Sequence, residues 1–196
     1  MIATLIAALL AADTEKIAEF EKVSETDGIT IEQRSVAGSK FVELKFTKET
    51  DKSVRSLCDA AFGDGKFDAA EPDLKSRAVV QESADERVTY EQITPPIVSN
   101  RDYVVRARRL ITGTTCRMTF EAANELGPKP PDGWVRVSKL RGYWLFEPLE
   151  GGKTKLTYVV FTDPGGSIPP FLVEGNRRKL GVNWVKMIES RGKTAP

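Results

Sequence analysis

The chain of 196 residues contains no histidine. That absence excludes Ser-His-Asp and Cys-His constellations, the His-based zinc motifs and the side chain that most often serves as a general base near neutral pH. No catalytic, metal or cofactor site is expected, and an enzyme built from this chain would rely on carboxylates, Lys, Tyr or Cys. An excess of charge is missing as well. The 29 Lys and Arg residues face 28 Asp and Glu, a net charge of +1, so no general attraction to nucleic acid follows. Cysteine is limited to Cys58 and Cys116, in a predicted helix and a predicted strand. Two buried, unpaired thiols are the default reading and a disulfide is the alternative, which the sequence does not decide. The apolar run over residues 1–12 (MIATLIAALLAA) is too short to span a bilayer as a helix. It has the length and small-residue ending of a signal-peptide core, with cleavage after Ala12, although it lacks a basic leading segment and places Leu10 at position −3. An N-terminal helix packed on the domain is the other reading. Export to the periplasm is preferred to a cytoplasmic location.

What remains is ordinary globular composition, 40% hydrophobic and 29% charged. One domain, residues 13–196, and a monomer are expected at this length. Asp13 or Thr14 caps a short predicted helix through Phe20 and Val23. After the turn at Asp27-Gly28, residues 29–36 and 40–47 read as a hairpin. A helix over 51–62 carries Val54, Leu57, Cys58 and Ala61 at helical spacing and stops at Gly63. Residues 63–75 read as loop. Strands follow at 76–83, 87–93, 101–111, 115–123, 134–146 (one strand or two, bent at Gly142) and 155–162. The segment 94–100 carries two prolines and cannot be a central strand. Residues 124–133 form a Pro/Gly-rich loop.

The last stretch is different. Pro164, Gly165 and Gly166 form a turn, Ser167 caps a helix, and Pro169 and Pro170 fit its first turn. About twenty residues of helix follow, with an apolar stripe through Leu172, Leu180, Trp184, Met187 and Ile188. The chain is thus α+β: eight or nine mainly antiparallel strands that curl as one sheet, and a long terminal helix that lays its stripe on the concave side.

Several segments resemble one family. The segment 94–105 (TPPIVSNRDYVV) is similar to the Pro…Arg-Asp-Phe/Tyr-Val stretch of START domains, the steroidogenic acute regulatory protein-related lipid transfer family. The segments 142–148 (GYWLFEP) and 154–158 (TKLTY) resemble that family's next-to-last hairpin, 163–170 (DPGGSIPP) the start of its closing helix, and 27–34 (DGITIEQR) an early strand. The likeness runs over residues 15–191. It implies a helix-grip fold, in which a curved antiparallel sheet surrounds a cavity roofed by the C-terminal helix, and the binding or transfer of one lipid, sterol or fatty-acid-like molecule. Because helix-grip relatives include cyclases and hydrolases, the alternative is an enzyme on the same scaffold, with Tyr103, Tyr143, Asp102 and Arg101 as candidate groups. A protein-interaction module would need an exposed apolar patch that the alternation does not predict.

Residues that would line such a cavity follow from alternation. Tyr103, Val105 and Ala107 share one strand face, leaving Arg106 and Arg108 on the other, solvated face, where an anionic membrane surface is their sharper use. Some relatives place a basic residue at the position of Ala107, so its absence favours a neutral or weakly polar ligand. Tyr143, Phe146 and Tyr158 are further wall candidates, and Leu180, Trp184, Met187 and Ile188 face them from the helix. Leu126, Pro128, Ile168 and Phe171 are gate candidates, set in or beside the segments that would move to admit a ligand. Arg101 and Asp102 are read as an ion pair that pins the start of their strand. At ~24 cal/mol per Å³, an empty cavity of ~500 Å³ would cost ~12 kcal/mol. That is comparable with a domain's whole stability of ~5–15 kcal/mol, so the space is expected to hold a passenger.

Overall fold

The computed structural model describes residues 18–96 and 98–194. The leader-like residues 1–12 lie outside them.

Ten strands form one sheet, in the order β1-β2-β3-β10-β9-β7-β6-β5-β4, with the short β8 paired to β6. Every pairing is antiparallel except β6 with β8. β1 (Glu21–Thr26) corrects the helix expected through Val23; residues 13–17 of that expectation lie outside the described residues. The turn decides this. Asp27 and Gly28 both take positive φ, 54° and 71°, as a two-residue hairpin loop requires, and Thr26 pairs with Ile29. β2 (Ile29–Arg34) and β3 (Glu43–Thr50) follow as expected. In α1 (Val54–Phe62) the Ser53 hydroxyl accepts the Ser56 N–H at 3.3 Å, and Gly63 ends the helix at a positive φ of 61°.

β4 (Leu74–Glu82), β5 (Glu86–Ile93), β6 (Arg101–Thr112) and β7 (Thr115–Ala122) form a continuous meander. The predicted strand over 134–146 divides into β8 (Val135–Arg136) and β9 (Lys139–Pro148). Gly142 is needed in β9, since a Cβ there would sit 2.1 Å from the Val159 carbonyl oxygen and 2.4 Å from the Phe120 ring. β10 (Thr154–Asp163) joins this half of the sheet to β3.

The closing helix begins later than Ser167. Pro169 is extended (ψ 135°), as the residue before a proline must be, and residues Pro170–Leu172 make only a 3₁₀ turn before α2 (Glu174–Arg191). The buried face of α2 is Gly181, Val182, Val185 and Ile188. Leu172, expected on the stripe, is exposed, while Leu180, Trp184 and Met187 are half-buried at the edge of the contact. Gly181 sets this rotation: a Cβ there would meet the Phe46 ring at 2.0 Å, so the missing side chain lets α2 lie directly on β3. Cys58 of α1 and Cys116 of β7 are bonded as a disulfide, which corrects the reading of two free thiols. Both are fully buried, in a core that also holds Leu57, Phe146, Leu156 and Val185.

Candidate functional site

Beside that core, between α2, the 60–68 segment and the inner face of β4, β5, β6, β7, β9 and β10, lies a pocket of about 720 Å³. Its apolar end is built from Met118, Phe120, Trp144 and Tyr158 of the sheet, faced by Leu180 and Trp184 of the helix. Trp144 stacks on Tyr158 with ring centroids 4.0 Å apart.

Three paired strands carry a polar row across the wall. Arg77 on β4 stands opposite Glu91 on β5, which stands opposite Tyr103 on β6. The Arg77 Nε donates to Glu91 Oε1 at 2.8 Å, and its two terminal nitrogens donate to the Glu71 carboxylate at 2.8 and 2.5 Å. Thr89 Oγ1 donates to Glu91 Oε1 at 3.0 Å. Glu71, Thr89 and Glu91 are all buried. Burial alone would weaken the Arg77 proton, but Glu71 and Glu91 outweigh it and raise the pKa above the ordinary value. Burial, reinforced by Glu91, drives the Tyr103 hydroxyl well above its usual pKa, and burial raises Tyr158 likewise. Both phenols are therefore neutral hydrogen-bonding groups at physiological pH.

The structure separates the residues singled out in the sequence. Tyr103, Val105, Ala107, Tyr158, Leu180, Trp184 and Ile188 border the pocket. Tyr143 does not: the register places Trp144, not Tyr143, across from Tyr158, and Tyr143 stacks under Arg117 at 4.0 Å on the opposite face. Phe146 has the right parity but is sealed in the core, stacked on Trp144. Met187 faces a separate shallow hollow on the flank of α2, bounded by Pro72 and Pro96. None of the four gate candidates borders the pocket. Leu126 and Pro128 belong to a loop held in place by Asn124, whose side chain accepts the Val104 N–H at 2.9 Å and donates to the Val137 carbonyl at 2.8 Å. The Pro128 carbonyl accepts from Arg136 at 2.7 Å. Ile168 packs against Phe41, Phe161 and Val173, and Phe171 projects from the surface.

Arg101 and Asp102 do not pair. As strand neighbours they point to opposite faces. Asp102, fully buried, takes Arg136 at 2.8 Å and the Tyr90 hydroxyl at 3.0 Å; Arg101 turns to the pocket wall. Arg106 and Arg108 lie opposite Tyr103's face, as alternation requires, where they pair with Glu86 and Glu121. Position 107 is uncharged, yet the pocket is not neutral. Beside Arg101, its charged wall residues come from strands read only as sheet, Arg77, Arg87 and Glu91, from the 63–73 loop, which carries Glu71, and from α2, which carries Arg177 and Arg191. The alternation Arg87, Thr89, Glu91, Ile93 was the available signal, hidden because an inward strand face is normally recognised by its apolar residues.

The fold is that of the helix-grip class, a curved antiparallel sheet gripping a long C-terminal helix. The START domain profile matches residues 72–191, and the chain belongs to that family. It is 29% identical over 199 residues to an uncharacterized protein of Pseudomonas aeruginosa, covering 95% of this chain and 93% of the relative. Among solved structures it resembles a STAR-related lipid transfer protein from Xanthomonas axonopodis (TM-score 0.77, 22% identity, 87% of this chain and 97% of that one). It also resembles human StAR-related lipid transfer protein 5 (TM-score 0.76, 16% identity, 88% and 86%).

Proposed function

We propose that the protein binds one apolar molecule, a lipid, sterol or fatty-acid-like compound, in the pocket between the sheet and α2, and carries or sequesters it without chemical change. The observation that carries this reading is the pocket's apolar end, where Met118, Phe120, Trp144 and Tyr158 face Leu180 and Trp184 across a space of ligand size. Side chains from both the sheet and its lid enclose the guest, so binding is by desolvation. The Arg77–Glu91–Tyr103 row supplies the few polar groups that orient it. Membership in the START family and the likeness to two lipid transfer proteins support the same reading.

The absence of catalysis is part of the proposal. The buried wall carboxylates Glu71 and Glu91 are both tied to Arg77, so neither is free to turn toward a guest. Access requires movement of α2 against the 63–73 loop, which Arg191 clasps through Asp68. Transient contact with a membrane surface, in monomeric form, would deliver the guest. The buried disulfide fits maturation in an oxidising compartment, in agreement with the leader-like residues 1–12.

The test is solvent extraction of freshly purified protein followed by mass spectrometry. Recovery of an apolar compound near one mole per mole is the expected result. Protein that carries no such compound, and that also fails to bind the neutral polarity-sensitive dye Nile red, would remove the proposal.

A further inference from the structure

Among the described residues, the charged groups that border the pocket are paired with one exception of each sign. Lys66 has Asp64, Arg77 has Glu71 and Glu91, Arg87 has Glu82, Arg177 has Glu174, and Arg191 has Asp68. Arg101 has no carboxylate within 4.0 Å among the described residues. It is only 3% exposed, and among the described residues its hydrogen-bond partners are two backbone carbonyls, that of Pro164 at 3.3 Å and that of Ser99. Burial disfavours its charge and lowers its pKa from the ordinary value. The other unpaired wall group, Asp73, does not come within 4.0 Å of it. A buried guanidinium without a counter-charge is expensive, and its partner is the first thing to look for. Val173, which precedes α2, and Asn176 of its first turn border the same pocket, and Glu174 of that turn is paired with Arg177.

We infer that Arg101 is the docking group for an acidic head, a carboxylate or phosphate, on the apolar guest. The polar row and Arg101 then divide the work. Arg77 is saturated by two glutamates and offers nothing to an anion, whereas the Arg101 fork is satisfied by only two carbonyls and faces the space where a head group would rest. An acidic amphiphile would place its head at Arg101 and its chain along Trp144 and Tyr158. The inferred guest differs from the neutral ligand expected from Ala107, because Arg101 brings a positive charge to the wall six residues earlier on the same strand face. The inference rests on the proposal of apolar-ligand binding, and the experiment separates the two.

Delipidated full-length protein is loaded with Nile red, which is displaced by hexadecanol, hexadecanoate or hexadecyl phosphate. The wild type is expected to bind at least one of the acids about tenfold or more tightly than the alcohol. The difference between hexadecanoate and hexadecyl phosphate tells which head fits. In Arg101→Gln the acid loses that advantage while hexadecanol affinity is unchanged; Arg101→Lys keeps part of it. Equal wild-type affinities for alcohol and acids would overturn the inference while leaving apolar binding intact, and this comparison stands even if Arg101→Gln does not fold. Equal losses for all three competitors in folded Arg101→Gln would overturn it too, since that is the signature of a purely structural tie to Ser99 and Pro164. If neither the dye nor any competitor binds the wild type, the carrier proposal itself falls.

Discussion

Asp73 borders the pocket in a left-handed backbone conformation, φ 59°, and its carboxyl is pushed above the usual carboxylate range by burial. The consequence for stability has a definite sign. The folded chain holds this proton to higher pH than the unfolded chain does, so rising pH ionises the unfolded state first and favours it. The stabilising contribution of the neutral form is complete below the unfolded pKa and is lost as pH climbs through the folded one. Asp73→Asn, which keeps the tolerance for positive φ, should therefore melt above wild type at pH 7, and the gap should close below about pH 3. Thermal melts at the two pH values check this, and a gap that persists in acid would refute the assignment. Single residues were readable in the sequence where alternation alone decided them. Tyr103, Val105 and Ala107 border the pocket as the strand period requires. Tyr143 and Tyr158 could not both face inward, because the β9–β10 register pairs Tyr158 with Trp144, and that register is a property of two strands together.

Among the elements, β2 to β7 and β10 were legible because each is bounded by its own turn residues, whereas the stretch 134–146 divides at Val137-Ser138 and not at Gly142, which lies inside β9. Two helical expectations shifted for local reasons stronger than periodicity: the Asp27-Gly28 hairpin turn claimed Glu21–Thr26 for a strand, and the paired prolines delayed α2 to Glu174. The glycines of α2 separate two roles that look alike in sequence. Nothing lies within 4 Å of a Cβ built on Gly175, whereas one on Gly181 meets the Phe46 ring. Gly175→Ala should stabilise by up to about 1 kcal/mol through helix propensity. Gly181→Ala should destabilise despite the same gain, because overpacking costs about 1–3 kcal/mol. Denaturant unfolding of the pair is the check, and two changes of the same sign would show that α2 does not rest on β3 as described.

At the scale of the whole molecule, the disulfide joins the helix-bearing first third of the chain to the middle of the sheet, across 58 residues. Closing a loop of that length removes about 4 kcal/mol of unfolded-chain freedom in the chain-entropy account. The Cys58→Ala/Cys116→Ala protein should lose stability of that order in guanidinium titrations against oxidised wild type, and an unchanged midpoint would refute a structural role. The two cysteines, 58 positions apart, could not be paired by sequence reasoning. Only the packing of α1 on β7 brings their Cα atoms to 6.1 Å.

By itself the sequence determined the class of this protein: strand and helix periods, turn residues and short ordered motifs are local, and they sufficed for an antiparallel sheet closed by a terminal helix and for its family likeness. The tertiary structure decided what the pocket contains. Arg77, Glu91 and Tyr103 stand side by side through strand pairing, Glu71 reaches them from a loop, and Arg136 of β8 reaches Asp102 of β6. These are relations between segments distant in the chain, set by register and packing, and no local pattern encodes them.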